Sequence, residues 1–295
     1  MLHNTFCRRL AALVLTLAVA VSIVLPVFAV YPMPVQTATE TEAVYLFNAD
    51  TGKTILSQNA DQQKYVASLT KLMTALLLVE SGKDLNGEVT VPTDLTQEFK
   101  DIQNANGTTM GLRIGETVRR IDLLNAMLIV SANDAASVIA WDVGGSVVGF
   151  VQQMNARAAE LGMVNTTFHN ACGLDTEGHL STAHDVAIMS REILNTCPEV
   201  LHYTGIWTDT LRGGATQLVN TNKLVRFYDG TTGLKTGSTN AAGYCISATA
   251  ERDGMELIAV ILKGKTSAER FQDAQALLNY GFSAYTLKPV VPEAP

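Results

Sequence analysis

Ser68 and Lys71 stand three residues apart in the segment Ser68-Leu69-Thr70-Lys71, where the sequence also predicts the start of a helix. At this spacing two side chains share one face of a helix. A serine hydroxyl becomes a good nucleophile once a base removes its proton, and a lysine with a lowered pKa can act as that base. The motif predicts nucleophilic catalysis through a serine, although an ordinary helix start with a serine cap also fits it.

Two further short motifs follow along the chain. Ser131-Ala132-Asn133 comes directly after an apolar helical stretch, where a hydroxyl can relay a proton and an amide can hold a peptide backbone. Lys235-Thr236-Gly237 leads into an apolar strand and supplies a positive charge, a hydroxyl and a glycine against which a substrate backbone can lie. Each motif alone also fits an ordinary surface segment, and Ser-x-Asn recurs at Ser57 and Ser238. Only the copy at 131 lies between the other two motifs.

The combination and order of the motifs are more specific than any one of them. Ser-x-x-Lys, Ser-x-Asn and Lys-Thr-Gly together are the signature of penicillin-binding proteins and related β-lactamases. With these motifs, and with Gly173-Leu174 followed by Gly178-His179-Leu180-Ser181, the chain resembles the D-alanyl-D-alanine carboxypeptidases. These are low-molecular-mass penicillin-binding proteins, serine peptidases of the S11 type. The resemblance covers residues 42–287 or so.

The resemblance implies a function. It implies a serine-type D-alanyl-D-alanine carboxypeptidase, a hydrolase that removes the terminal D-alanine from peptidoglycan stem peptides in cell-wall synthesis and remodelling. The expected partners are stem peptides ending in D-Ala-D-Ala, with β-lactams as covalent inhibitors. No cofactor and no metal are expected.

The resemblance also implies roles for particular residues. Ser68 would form the acyl-enzyme, Lys71 would take its proton, and Ser131 would relay a proton to the departing D-alanine. The substrate would contact Asn133, Lys235, Thr236, Gly237 and Ser238. The backbone N–H groups of Ser68 and Ser238 would form the oxyanion hole. We also expect Lys71 to be neutral in the resting protein, because Lys235 should lie close and a helix N-terminus should face it.

Hydrophobic patterns predict the elements that must position these residues. A hairpin is predicted within 42–56, around the turn Asp50-Thr51-Gly52. Helices are predicted over 68–79, 120–128, 135–143, 147–161, 185–194 and 267–280, and later strands over 234–236, 242–250 and 255–262. We therefore expect an α/β protein in which a mainly antiparallel sheet is flanked by helices, plus a helical lobe, with the site between sheet and lobe. The resemblance implies the transpeptidase/β-lactamase-like fold.

The N-terminal segment has the pattern of an export signal. A basic start at residues 1–9 precedes an apolar stretch over 10–25, and Val27-Phe28-Ala29 predicts cleavage after Ala29. An uncleaved membrane anchor is the alternative, although the apolar stretch is short for a bilayer span. Residues 30–287 are then expected to form one catalytic domain and 288–295 a proline-rich tail. We expect a protein that is exported to the cell envelope or secreted.

Composition excludes some classes of function. The formal net charge is −7 and no long Lys/Arg run occurs, so a nucleic-acid partner is not expected. Cys172, Cys197 and Cys245 form no C-x-x-C pair, and most of them are expected to be buried thiols.

Three rival functions remain open on the sequence. A class A β-lactamase would need a glutamate in a Glu-x-x-Leu-Asn motif, and this pattern is absent. A zinc peptidase would need clustered ligands, which the histidines do not provide. A non-catalytic peptidoglycan-binding protein would not need all three motifs intact.

Overall fold

The structure is a computed structural model that describes residues 42–286. The predicted export signal and the proline-rich tail lie outside the described residues. The strands are β1 (Ala43–Asn48), β2 (Lys53–Gln58), β3 (Glu88–Thr90), β4 (Thr117–Arg119), β5 (Thr208–Leu211), β6 (Thr216–Val219), β7 (Thr231–Thr239), β8 (Gly243–Arg252) and β9 (Met255–Gly264). The helices are α1 (Lys71–Glu80), α2 (Thr96–Asn104), α3 (Arg120–Ile129), α4 (Asn133–Gly144), α5 (Val147–Glu160), α6 (Ala183–Thr196), α7 (Pro198–Thr204), α8 (Leu224–Phe227) and α9 (Ser267–Ala284).

The main sheet has five strands in the order β2-β1-β9-β8-β7. All of its neighbouring strands are antiparallel. The sheet thus joins the N-terminal hairpin to the C-terminal strands, and it places β7 at an edge. Two small two-stranded sheets, β3–β4 and β5–β6, stand apart from it.

Both faces of the sheet are covered. Along β1, Val44 and Leu46 pack into one core, whereas Tyr45 and Phe47 pack into another. Successive residues of a strand point to opposite faces, so this alternation shows that each face has its own layer. Helix α9 covers the first face with Phe271, Ala274, Leu277 and Leu278. Helix α6 covers the second face, and α1, α3, α4 and α5 extend that core into the helical lobe.

Helix α1 is buried on nearly all sides, which explains why its sequence is apolar all round. Among residues 42–286, no single helix is long and apolar enough to cross a membrane. The helices α4 and α5 meet that criterion only when joined, and they are bent by 83°.

The predicted α/β architecture is confirmed, with differences at element ends. The helix expected from Ser68 begins at Lys71, because residues Ala67–Thr70 form a tighter 3-10 turn. The two small sheets, β3–β4 and β5–β6, and the helices α2, α7 and α8 were not predicted, since they are short and only partly buried. The described cysteines, Cys172, Cys197 and Cys245, are buried free thiols, as expected.

Candidate active site

A cavity of about 470 Å³ opens beside the edge strand β7. Its walls are the 3-10 turn before α1, the segments around 105–108, 130–133 and 173–175, and the end of β7. Five residues of the three sequence motifs line it, together with the predicted oxyanion residue Ser238: Ser68, Ser131, Asn133, Thr236 and Gly237. The motif lysines, Lys71 and Lys235, lie buried behind this lining. The structure therefore brings every predicted site residue to one place.

Three oxygen atoms hold the side-chain nitrogen of Lys71 in place. Its Nζ lies 2.9 Å from Ser68 Oγ, 2.6 Å from Asn133 Oδ1 and 2.6 Å from the Cys172 carbonyl oxygen. A neutral amine has two N–H bonds and one lone pair. It can therefore donate to the amide and carbonyl oxygens, which are acceptors only, and accept the hydroxyl proton of Ser68. This is the arrangement that a general base for a serine nucleophile requires.

Burial lowers the pKa of Lys71, which favours its role as a base. The side chain has no exposed surface, and its desolvation lowers the pKa of Lys71 to about 8. The nearby carboxylate of Asp134 acts in the opposite direction. Burial is thus the main cause of the lowered pKa, rather than Lys235 or the helix start that the sequence suggested. Near neutral pH a useful fraction of Lys71 is already unprotonated.

Lys235 lies on β7 and is equally buried, but it has fewer partners. Its Nζ donates to the Thr236 carbonyl oxygen at 3.1 Å. Burial, together with repulsion from Lys71 and Arg270, lowers the pKa of Lys235 well below its usual value. An anionic group in the adjoining cavity would offset this repulsion and favour the charged form of Lys235.

Two glycines allow neighbouring segments to close on the turn that carries Ser68. A Cβ at Gly237 would lie 2.9 Å from Ser68 N and 3.0 Å from Val66 O, so only glycine fits where β7 meets the turn. A Cβ at Gly173 would overlap Ala67 O, and Gly173 also has a φ of +84°. Gly237 therefore serves first to pack the strand against the turn, which the sequence had not indicated.

This contact also places the predicted oxyanion donors. The N–H of Ser68 belongs to the first turn of a 3-10 helix, which has no acceptor within the helix. Ser238 directly follows Gly237, the point at which β7 touches that turn. The two N–H groups therefore belong to segments in direct contact at the cavity wall.

A buried hydrogen-bond chain supports the turn from behind. The His169 N–H donates to His179 Nδ1 at 3.1 Å, so the proton of this imidazole is on Nε2. That N–H donates to Thr70 Oγ1 at 2.8 Å, and the threonine hydroxyl donates to Ala67 O at 2.9 Å. Burial lowers the pKa of His179 to about 4, so the ring is neutral near pH 7. His179 thus holds Ala67, which has an unusual φ of +48°, in place before the nucleophile.

The start of α4 is held by the second motif. Asn133 N donates to Thr108 O at 2.8 Å, while its side-chain oxygen holds Lys71. The Asp134 carboxylate accepts the backbone N–H groups of Met110 and Leu112 at 3.0 and 2.9 Å. Ser131 lines the cavity, and its backbone adopts the left-handed conformation with a φ of +66°. Backbone of this kind costs about 1 kcal/mol or more and is common at functional sites.

Three functional groups were not predicted. Thr221 lines the cavity, and its Oγ1 lies 2.6 Å from Thr236 Oγ1. Arg270 of α9 also lines it and donates through Nη1 to Gly237 O at 3.0 Å. The Arg270 Nε is buried without a hydrogen-bond partner among the described residues. The third group is the Cys172 carbonyl, a backbone atom that no side-chain pattern can reveal.

A signal for Arg270 did exist in the sequence. It stands four residues before Ala274 and next to Phe271, on the face of α9 that turns to the sheet. A charged residue on a buried helix face needs a partner or a ligand. Within the described part of the chain, no group of three or more His, Cys, Asp or Glu side chains could hold a metal ion.

Comparison with known proteins gives one consistent family. The profile of the family described as D-alanyl-D-alanine carboxypeptidase matches residues 32–266. D-alanyl-D-alanine carboxypeptidase DacF of Bacillus subtilis is 36% identical over 256 residues, which cover 86% of this chain and 65% of DacF. DacC of Escherichia coli is 33% identical, with 86% and 64% covered. The chain therefore spans just under two thirds of the length of these relatives.

Solved structures show the same fold. Penicillin-binding protein D2 from Listeria monocytogenes, in its cefotaxime-bound form, superposes with a TM-score of 0.70 at 34% identity, covering 83% of this chain and 98% of that one. Penicillin binding protein 6B from Escherichia coli gives a TM-score of 0.79 at 30% identity, with 86% and 80% covered. The transpeptidase/β-lactamase-like fold implied by the sequence is confirmed.

Proposed function

We propose that this chain, which belongs to the D-alanyl-D-alanine carboxypeptidase family, hydrolyses the terminal D-Ala–D-Ala bond of peptidoglycan stem peptides through an acyl-enzyme on Ser68. The observation that carries the proposal is the contact of 2.9 Å between Lys71 Nζ and Ser68 Oγ at the wall of a cavity. A serine beside a buried amine has the base that acyl transfer needs, and the cationic side of the cavity suits a peptide ending in a carboxylate.

In the acylation step, Ser68 Oγ attacks the carbonyl carbon of the penultimate D-alanine while Lys71 takes the hydroxyl proton. The carbonyl oxygen becomes an oxyanion, which the N–H groups of Ser68 and Ser238 stabilise. As the C–N bond breaks, the proton passes from Lys71 through the Ser131 hydroxyl to the departing amine. D-Alanine leaves, and the shortened stem stays attached to Ser68 as an ester.

The terminal carboxylate is held from the opposite side of the scissile bond. Thr236 offers a hydroxyl, and Lys235 and Arg270 supply positive charge next to it. The leaving group is thereby oriented, which favours a substrate with a free C-terminus over an internal peptide bond.

In the deacylation step, water attacks the ester while Lys71 removes one of its protons, and Ser68 recovers its hydroxyl. No glutamate lines the cavity within residues 42–286. This argues against the water-activating glutamate of a class A β-lactamase, so a penicilloyl ester on Ser68 should be long-lived. The relative from Listeria is known with cefotaxime and with ampicillin bound, which supports β-lactams as ligands here.

We also propose that the protein acts outside the cytoplasmic membrane, where peptidoglycan lies. The basic and apolar start of the chain and the Val27-Phe28-Ala29 site support export with cleavage after Ala29. Determination of the N-terminus of the protein recovered from the cell envelope and from the medium tests this.

Intact-mass spectrometry tests the activity. The protein is treated first with benzylpenicillin and then, separately, with a diacyl-L-Lys-D-Ala-D-Ala peptide, with Ser68→Ala as the control. A stable penicilloyl adduct on Ser68 together with released D-alanine supports the carboxypeptidase. Rapid loss of the adduct as hydrolysed penicillin would indicate a β-lactamase, and the lack of any adduct would indicate a non-catalytic binding protein.

A further inference from the structure

Charge is distributed unequally along the cavity. Among its lining residues in the described chain, only Arg270 and Asp175 have charged side chains. Arg270 contacts β7 at the carbonyl of Gly237. Asp175 contacts β7 further along, where its Oδ1 accepts the Thr239 hydroxyl at 2.6 Å. The cavity is therefore cationic near Thr236 and anionic near Thr239.

The separation of these two regions matches a short peptide. From Thr236 to Thr239 the strand advances by three residues, about 10 Å at 3.3 Å per residue. β7 is an edge strand, so an extended peptide can pair with it through backbone groups. A peptide that runs antiparallel to β7, with its C-terminal carboxylate at Thr236, brings its third residue from the C-terminus to Asp175.

The carboxylate of Asp175 is available for a ligand. The residue is exposed, and none of the ion pairs among the described residues includes it. Its two oxygens accept the Thr239 hydroxyl and, at 3.3 Å, the Ala241 N–H. A carboxylate has about four lone-pair positions, so acceptor capacity remains. The hydrogen bond from Thr239 holds the Asp175 carboxylate beside β7.

Resting on the proposed function, we propose that Asp175 selects stem peptides whose third residue from the C-terminus carries a free side-chain ammonium. The Asp175 carboxylate pairs with that ammonium while the cationic side of the cavity holds the terminal carboxylate. A stem in which this amine has become an amide loses the ion pair. Asp175 is thus a specificity-determining residue for diamino-acid stems with an unmodified amine.

Two peptides test the inference: Nα-acetyl-L-Lys-D-Ala-D-Ala, with a free ammonium, and its Nα,Nε-diacetyl analogue, without one. The wild-type protein should have a kcat/KM about two- to fivefold higher for the ammonium peptide, as expected for an exposed ion pair. Added salt should reduce this ratio. In Asp175→Asn, which keeps an oxygen for Thr239 but loses the charge, the ratio should fall to near one.

Glu177→Gln is the matched control, because Glu177 is an exposed carboxylate two residues away that does not line the cavity. It should keep the wild-type ratio. A wild-type ratio of one, or a preference that persists in Asp175→Asn, would overturn the role of Asp175. D-Alanine release from the diacetyl peptide reports on the proposed activity separately, because it does not require the ammonium. Failure of both peptides in the wild type would refute the proposed function and this inference with it.

Discussion

Two buried lysines serve the same cavity, but the structure gives them different surroundings. Lys71, on the helical side, has three oxygen atoms within hydrogen-bond distance of Nζ. Lys235, on the sheet side, donates to one carbonyl oxygen and is repelled by Lys71 and Arg270. Burial lowers the pKa of both side chains. The difference therefore lies in the hydrogen-bond partners.

The partners suggest how the work is divided. A lysine with its acceptors already in place is held rigidly at one position, which suits proton transfer over a fixed distance. A lysine with few acceptors gains most when a negatively charged group arrives, which suits recognition of a carboxylate. The same residue type thus performs two tasks, and the surroundings decide which.

Substitution of Lys71 should have the largest effect. An arginine at this position stays charged at any accessible pH, so Lys71→Arg removes the base but keeps a cation. We expect the rate of acylation to fall by about a thousandfold, within the usual range for loss of a general base. Stopped-flow measurement with a fluorescent penicillin gives the rate, and circular dichroism checks the fold. Acylation of a folded Lys71→Arg protein at the wild-type rate would remove the distinction between the two lysines.

Substitution of Lys235 should have a smaller and more selective effect. In Lys235→Met, kcat/KM for a peptide with a free C-terminus should fall about 10- to 100-fold. This is the loss expected when a hydrogen bond between charged groups, which contributes about 1.5–3 kcal/mol, is removed. For the C-terminal amide of the same peptide, kcat/KM should fall much less. The variant should also be more stable, by about 1 kcal/mol, because an apolar side chain replaces a buried amine that has only one hydrogen bond among the described residues. Equal losses for the acid and the amide would contradict a carboxylate-binding role.

The smallest effect is expected at Thr221, whose hydroxyl orients that of Thr236. Thr221→Val should raise KM for the free acid about two- to tenfold and leave kcat nearly unchanged, since one neutral hydrogen bond is lost. Thr221→Ser keeps the hydroxyl and should restore the wild-type KM. A change in Tm without a change in KM would show that Thr221 stabilises the fold and does not affect binding.

The sequence predicted the side chains of the site better than their surroundings. The three motifs identified the residues that the structure brings together, because each motif places its residues on one short element. The prediction that the first helix begins at Ser68 was less accurate, because α1 begins at Lys71. Ala67 adopts a positive φ that its residue type does not indicate, and the packing of Gly173 and Gly237 around it becomes apparent only in the folded chain.

Other parts of the site depend on contacts between distant segments. Arg270 stands 35 residues after Lys235 and reaches the cavity only because α9 packs on the sheet. The Cys172 carbonyl and the chain from His179 to Ala67 involve backbone atoms and tautomers, which leave no residue pattern. The low pKa of Lys71 results from burial that becomes apparent only in the folded chain.

The pH dependence of acylation tests the role of Lys71 most directly. Burial lowers the pKa of Lys71 from 10.5 to about 8, and only the unprotonated amine can accept the Ser68 proton. The second-order rate constant with a fluorescent penicillin should therefore rise as the pH increases through about 8 and level off above it. A rate that does not change across this range, or that rises only near pH 10.5, would contradict Lys71 as a base made neutral by burial.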